Sequence, residues 1–170
     1  MPNLKDLKNR IESVKSTRKI TKAMQMVAAA KLRRAQESAE SGRPYAERMN
    51  AVVNNLAGGM TLSEDSPKLL TGRADIKTYL IIVATSDRGL CGGFNSSIVK
   101  MAKNKISELL SAGHNVKIYT IGKKGREQLS REFGVYFSNH FDLSTVKTLS
   151  YSVALNISKD ILLGFNSEEF

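Results

Sequence analysis

The sequence predicts an α/β architecture in which one long N-terminal helix precedes a small domain built on a parallel sheet. Residues 3–41 of the 170-residue chain contain neither glycine nor proline and carry apolar residues at helical spacing. Residues 77–170 alternate short apolar runs with helical patterns, and the order β-α-β-α-β-α is typical of parallel strands joined by right-handed crossovers. A polar connection over 58–76, with glycine and proline, separates the two parts.

The first segment, residues 1–57, is predicted to be a single basic helix. Its apolar stripe has a spacing near 3.6 and consists of Leu4, Leu7, Ile11, Val14, Ile20, Ala23, Met24, Val27 and Ala30. A helix from Asn3 to the low fifties would be roughly 75 Å long. Gly42 and Pro44 are expected to kink it or interrupt it briefly, and Gly58–Gly59 to end it.

A helix of this length with an apolar stripe requires a helical partner. Residues 77–170 contain no helical pattern of comparable length, so we expect the partner helix to come from another chain or from sequence beyond that given. Met24 and Met26, at helical positions, are interpreted by default as core residues that adapt in packing.

The elements of the segment 77–170 follow from apolar runs and glycines. The predicted strands are Tyr79–Thr85, which we expect to be buried on both faces, Val116–Ile121 and Val135–Phe137. The predicted helices are residues 97–111 with a cap at Asn95 or Ser96, Lys123–Phe133, and about Val146–Leu163 with an end at Gly164. Three strands make a small sheet, so the domain is interpreted as truncated.

The charge is concentrated at the N-terminus. The chain has a formal net charge of +10 and a sequence pI of ≈ 9.8. Ten Lys or Arg residues occur in 1–34 against only Asp6 and Glu12, so this segment carries +8. An acidic partner surface is therefore expected, on nucleic acid, an anionic membrane or a protein. A single cysteine, Cys91, excludes an intrachain disulfide and a cysteine-rich zinc site.

The loop 86–95, SDRGLCGGFN, follows the first predicted strand at the position where ligands bind to open parallel sheets. Its glycines, at 89, 92 and 93, have neither the dinucleotide-binding spacing nor the ending of a phosphate-binding P-loop, since no lysine occurs between residues 78 and 99. The sequence therefore argues against a nucleotide site and predicts no bound cofactor or metal.

Three residues of this loop carry groups capable of chemistry. Cys91 lacks a recognisable pairing with His114 or His140, so it is interpreted as a small, half-buried thiol. Asp87 has no neighbouring acidic residue and is expected to accept backbone N–H bonds within the turn. Arg88 is suited to meet a carboxylate on another protein, although a solvated loop arginine is an equal alternative.

The basic helix is also compatible with a nucleic-acid or anionic-surface binding protein that carries a non-catalytic α/β domain. A leucine-zipper DNA binder requires a leucine seam after its basic region, and this chain instead has Ala35, Ala39, Gly42 and Pro44. This function remains the alternative.

Three motifs resemble the gamma subunit of F-type ATP synthases, the central rotor shaft. They are LKDLKNRIESVKSTRKITKAMQMVAAAKLRRAQ at 4–36, RPYAERM at 43–49 and SDRGLCGGFNSSI at 86–98. In that family the N-terminal helix pairs with a long C-terminal helix in an antiparallel coiled coil, and a Rossmann-like domain of three layers lies at its foot. Family members extend past the position of Phe170.

The resemblance implies a non-catalytic rotor subunit that couples ion-driven rotation to conformational changes in the beta subunits. The implied partners are the alpha, beta and epsilon subunits and the membrane rotor ring, with ATP and magnesium bound only by alpha and beta. Met24, Lys31, Arg34 and Arg88 match family positions at or near acidic beta-subunit loops. A peripheral position on the cytoplasmic face of a bacterial inner membrane is expected.

Overall fold

The computed structural model describes residues 3–59, 66–72, 76–146 and 148–170. The chain forms two compact units, Met1–Gly72 and Arg73–Phe170. Parts of the predicted connection, 60–65 and 73–75, lie outside the described residues. A single turn of helix, α2 (Lys68–Thr71), lies within the predicted connection.

The first unit is dominated by α1 (Leu4–Gly59), a helix of 56 residues that is about 84 Å long. Of the two outcomes predicted near Gly42 and Pro44, the interruption is wrong, because the helix continues through both residues. Proline has no backbone N–H, so the helix loses one hydrogen bond there, and the uninterrupted turns on either side compensate for that loss. No described residue of α1 is buried, so its apolar stripe is entirely open.

The second unit is built on a parallel sheet of three strands in the order β1-β2-β3. The strands are β1 (Thr78–Ala84), β2 (Asn115–Ile121) and β3 (Phe137–Phe141). The parallel sheet was predicted, but the position of the third strand was wrong: residues Gly134–Tyr136 form a 3-10 turn, and the strand begins after it.

The helices of the second unit are α3 (Phe94–Ser111), α4 (Lys123–Phe133) and α5 (Tyr151–Asn166). The bounds of α4 agree with the prediction. A second 3-10 turn lies at Leu143–Thr145, and α5 starts at Tyr151, later than the predicted Val146. Gly164 does not end α5 but lies inside it, where a Cβ would come 2.6 Å from the Phe170 ring.

Both α3 and α4 pack on one face of the sheet and enclose the core. Successive strand residues alternate between faces, so one set from β1 and β2 meets these helices. The core side chains are Val83, Val99, Ala102, Ile106, Leu109, Val116, Ile118 and Leu129. Ile106, Ile118 and Leu129 are completely inaccessible to solvent.

The opposite face of the sheet is covered by α5, which completes three layers but leaves part of the face open. The Tyr119 hydroxyl donates a 3.2 Å hydrogen bond to Asp160 of α5. Burial, reinforced by the Asp160 carboxylate, raises the pKa of Tyr119 to about 12. Ile82 remains 45% exposed, so the predicted burial of β1 on both faces is wrong.

The junction of β1 with α4 depends on two glycines without room for a side chain. Gly122 has φ +84, and a Cβ there would lie 2.1 Å from the Thr85 carbonyl oxygen. At Gly125 a Cβ would lie 2.8 Å from the Thr85 hydroxyl oxygen. The backbone of α4 can therefore approach the end of β1 only because both positions are glycine.

Replacing Gly122 with alanine should lower the free energy of unfolding by more than about 2 kcal/mol, because strain and a backbone clash coincide there. Gly134→Ala is the matched control, since Gly134 has φ −57 and nothing within 4 Å of a Cβ. We expect the control to be neutral or slightly stabilising. Urea unfolding measures both variants, and equal stabilities would contradict the close-approach explanation.

Candidate partner interface

The loop between β1 and α3 lies at the carboxyl end of the sheet and carries Arg88. Thr85 extends β1 by one hydrogen bond, from its N–H to the Ile121 carbonyl at 2.8 Å. The chain then leaves the sheet through Ser86 and Asp87 and returns at Gly93, which precedes α3. Its conformation is fixed by two sets of hydrogen bonds, one to α4 and one to α3.

The first set satisfies the N-terminus of α4. The Lys123 N–H donates to the Asp87 carboxylate at 2.9 Å, and the Lys124 N–H donates to the Ser86 carbonyl at 3.1 Å. The Gly125 N–H donates to the Thr85 hydroxyl at 2.7 Å. The Gly122 N–H donates to the Phe141 carbonyl at 3.0 Å. The four donors that a helix leaves unpaired at its start are thus all bonded by residues distant in sequence.

Asp87 does bind a backbone N–H, but the predicted location within its own turn is wrong. Its partner lies 36 positions along the chain, at the start of another element. A carboxylate at this position also interacts favourably with the helix dipole. Asp87 therefore fastens the loop to α4.

The second set centres on Asn95, which is 6% exposed in the first turn of α3. Its Oδ1 accepts the Ser86 N–H at 3.1 Å, and its Nδ2 donates to the Ser86 hydroxyl at 2.9 Å and to Cys91 Sγ at 3.2 Å. The Ser86 hydroxyl then donates to the Arg88 carbonyl at 2.6 Å. The Asn95 oxygen accepts a backbone N–H and its nitrogen donates to two separate acceptors, which fixes the orientation of the amide.

Asn95 was predicted to cap α3, and that prediction is wrong. Gly93 is the residue that precedes the helix, and the Asn95 side chain turns back to the loop instead. The sequence does not predict this role, because the hydrogen bond joins residues nine positions apart and the conformation of the turn between them cannot be derived from sequence patterns. A polar residue two positions after a glycine pair was the available signal.

Arg88 lies at the exposed part of this fixed loop. Its carbonyl is held by Ser86, while its guanidinium makes no ion pair with any residue that the structure describes. Leu90 follows with φ 62 and is fully exposed, an uncommon combination for a non-glycine residue. The loop therefore presents one free cation and one apolar side chain on a braced backbone.

The other predicted contact residues, Met24, Lys31 and Arg34, belong to α1 and to the first unit. Spacings of seven and three place them on one side of that helix. Met24 is 66% exposed, and both cations are exposed. Nothing in the described part of the chain pairs with Lys31 or Arg34, so both remain available to a partner.

The contacts of the loop give little support to a nucleophilic cysteine or a metal site. Cys91 is exposed rather than half-buried, and its hydrogen-bond contacts are Asn95 and Ser86 rather than a histidine. His140 bonds Thr120 at 2.8 Å, and His114 stacks edge-on against Tyr79. Among the described residues, no three His, Cys, Asp or Glu side chains are placed to hold a metal.

No described helix is both long and apolar enough to pass through a bilayer.

A family model described as "ATP synthase" matches residues 3–170. The chain belongs to this ATP synthase family. Its curated relatives are gamma chains, which agrees with the resemblance found in the three sequence motifs.

Two of these relatives show how far the similarity to gamma chains extends. The chain is 61% identical over 170 residues to the ATP synthase gamma chain of Cereibacter sphaeroides (strain ATCC 17029 / ATH 2.4.9). It is 59% identical over the same length to that of Rhodobacter capsulatus. In each case all of this chain is covered but only 59% of the relative, so the chain spans less than two thirds of the gamma chains it matches.

Solved structures of ATP synthases share the fold. A chain of the Tetrahymena thermophila mitochondrial ATP synthase, from a structure of its central stalk and c-ring, matches with TM-score 0.60 and 28% identity. The match covers 84% of this chain and 58% of that chain. A rotor chain of the Euglena gracilis enzyme, at 17% identity and TM-score 0.52, shows the same fold over 92% of this chain and 51% of that one.

In the present chain, Asn95→Asp is expected to destabilise the loop. The substitution keeps the shape but replaces both amide donors with oxygen in a buried position, which should cost about 2–4 kcal/mol of unfolding free energy. Asn104→Asp, at an exposed position of the same helix α3, is the matched control and should change stability by less than about 0.5 kcal/mol. Denaturant unfolding of both proteins checks this, and equal losses would show that Asn95 is not the residue that holds the loop.

Proposed function

We propose that this chain is part of the central-stalk rotor of an F-type ATP synthase. In that role it couples ion-driven rotation to conformational changes at catalytic sites on the beta subunits. It has no active site and binds no cofactor of its own, with ATP and magnesium held by the alpha and beta subunits.

The observation that carries this proposal is α1 itself. It contains 56 residues, none of the described ones is buried, and its open apolar stripe runs beside a strongly basic surface. A helix with this composition is unstable alone and requires a protein environment that covers the stripe and neutralises the charge. A shaft paired with a second helix and surrounded by acidic loops provides both.

The relatives support the same role. Curated gamma chains at 59% and 61% identity cover every residue of this chain, and the Tetrahymena match is a part of a central stalk. The proposed partners are accordingly the alpha, beta and epsilon subunits and the membrane rotor ring. The proposed location is peripheral, on the cytoplasmic face of a bacterial inner membrane.

A basic nucleic-acid or anionic-surface binder is the second candidate, favoured only by the charge of +8 on residues 1–34. A binder of this kind would need its cations for phosphates, and its affinity would fall steeply with salt. A function in nucleic-acid or anionic-surface binding does not account for the open apolar stripe of α1.

Co-purification with alpha and beta subunits of a related bacterial ATP synthase tests the proposal. We expect the chain to remain bound at about 0.5 M salt, where charge interactions are screened within roughly 4 Å and apolar contacts persist. Binding to duplex DNA should be weak, independent of sequence and lost at moderate salt. Sequence-dependent DNA binding at physiological salt, without retention of alpha or beta, would refute the rotor proposal in favour of the alternative.

Arg88→Ala in a complete complex should reduce ATP-driven proton pumping by about threefold or more, because a partner carboxylate loses its counter-charge. The free energy of unfolding should change by less than about 0.5 kcal/mol, since the guanidinium has no partner in the described chain. Arg88→Lys keeps the charge and should retain part of the activity. Unchanged pumping in the alanine variant would leave Arg88 an ordinary solvated residue.

A further inference from the structure

An open depression of ≈ 620 Å³ lies beside Arg88 at the carboxyl end of the sheet. It is bounded by the loop after β1, by the outer surface of α4 and by the chain that follows β3. Its charged lining includes Arg88, Lys123, Arg126, Asp87, Glu127 and Asp142. The volume falls within the range of ligand-sized clefts.

The carboxylates of this depression are already bonded within the chain. Asp87 accepts the Lys123 N–H at 2.9 Å, and Asp142 accepts the Ser144 N–H at 2.8 Å. Hydrogen bonds from Ser144 lower the pKa of Asp142. Glu127 pairs with Lys124 at 2.6 Å, and this hydrogen bond lowers the pKa of Glu127.

The two guanidiniums of the depression have no such partner. Neither Arg88 nor Arg126 forms a hydrogen bond or ion pair with the side chains that the structure describes. Lys123 approaches only Glu127, at 3.8 Å, so its ammonium is loosely engaged. The wall carboxylates keep their charge but are engaged by donors of the chain itself, so the groups that this surface still offers to a ligand are the two guanidiniums, one from the loop and one from α4.

We infer that Arg126 acts with Arg88 as a two-arginine clamp for an acidic segment of a partner protein. Each guanidinium can hold one carboxylate through a planar pair of N–H donors. The bonds of Ser86 and Asp87 hold the loop backbone at Arg88 relative to α4, so binding does not have to order the loop itself.

A peptide suits this depression better than a nucleic acid or a small anion. The backbone N–H groups at the start of α4, which would otherwise attract phosphate, are all bonded to the chain. An acidic peptide can place its carboxylates at the arginines and present neutral backbone to the remaining surface.

Arg131 supplies a matched control on the same helix. It is exposed, forms no ion pair with the described residues and does not line the depression. Five residues separate it from Arg126, which places it about 140° around the helix.

Hexaglutamate peptide, titrated into the isotopically labelled chain at low ionic strength, tests the clamp. Amide signals of the loop and of the first turn of α4 report on this site separately from the basic helix α1. We expect saturable shifts there, with affinity lowered about threefold by Arg88→Ala and by Arg126→Ala and unchanged by Arg131→Ala. The double variant Arg88→Ala/Arg126→Ala should lose the saturable shifts.

Three results would overturn the inference. They are Arg126→Ala behaving like Arg131→Ala, no saturable shift in the wild-type chain, and tighter saturation of the same amides by a hexathymidylate oligonucleotide.

The inference rests on the proposed function for the kind of partner, but its test does not require the assembled complex. A chain that binds the peptide through both arginines and yet fails to assemble with alpha and beta would refute the rotor proposal and leave the clamp intact.

Discussion

The second unit depends on the way the first turn of α4 is hydrogen-bonded. An isolated helix start leaves four N–H groups without partners, and burying them unpaired would cost several kcal/mol in total. Here the end of β1, the loop after it and the end of β3 provide every acceptor. The strands and α4 therefore form together, and neither the loop nor the helix start can take this conformation alone.

The same bonds explain why the loop is a surface for contact rather than for catalysis. Its hydroxyl, amide and carboxylate groups are directed at one another and at α4, which leaves the Arg88 guanidinium and the Leu90 side chain pointing to solvent. A left-handed conformation at a leucine costs roughly 1 kcal/mol or more and persists because the surrounding bonds impose it. Such strain is consistent with a loop shaped for a partner.

Sequence patterns predicted those parts of the fold that depend on local spacing. The bounds of α4 and the second strand could be predicted because apolar periodicity and flanking glycines mark them. The continuation of α1 through Pro44 could not, since a long helix tolerates one missing bond that a short one does not. The third strand was misplaced because Val135 lies in an apolar run that forms a 3-10 turn and is 88% exposed.

The candidate interface was only partly accessible from sequence. Arg88 could be singled out by elimination, because no motif around it supports another chemistry. Asn95 and Thr85 could not, since each acquires its role through a contact made across the fold. Arg126 could not, since only the fold brings it to the same depression as Arg88, and single-sequence patterns carry no information on such proximity. The unpaired guanidiniums near α4 can be identified only after the hydrogen bonds and ion pairs of the neighbouring charged groups are assigned.

The bonding of the loop to α4 also has a mechanical meaning. A load applied at Arg88 passes along the chain to Asp87 and Ser86 and from there into the first turn of α4, whose next neighbour is the end of β3. Several hydrogen bonds join the loop to α4, so displacing the loop requires α4 and the sheet to move with it or all of these bonds to break. A surface of this stiffness transmits displacement instead of absorbing it.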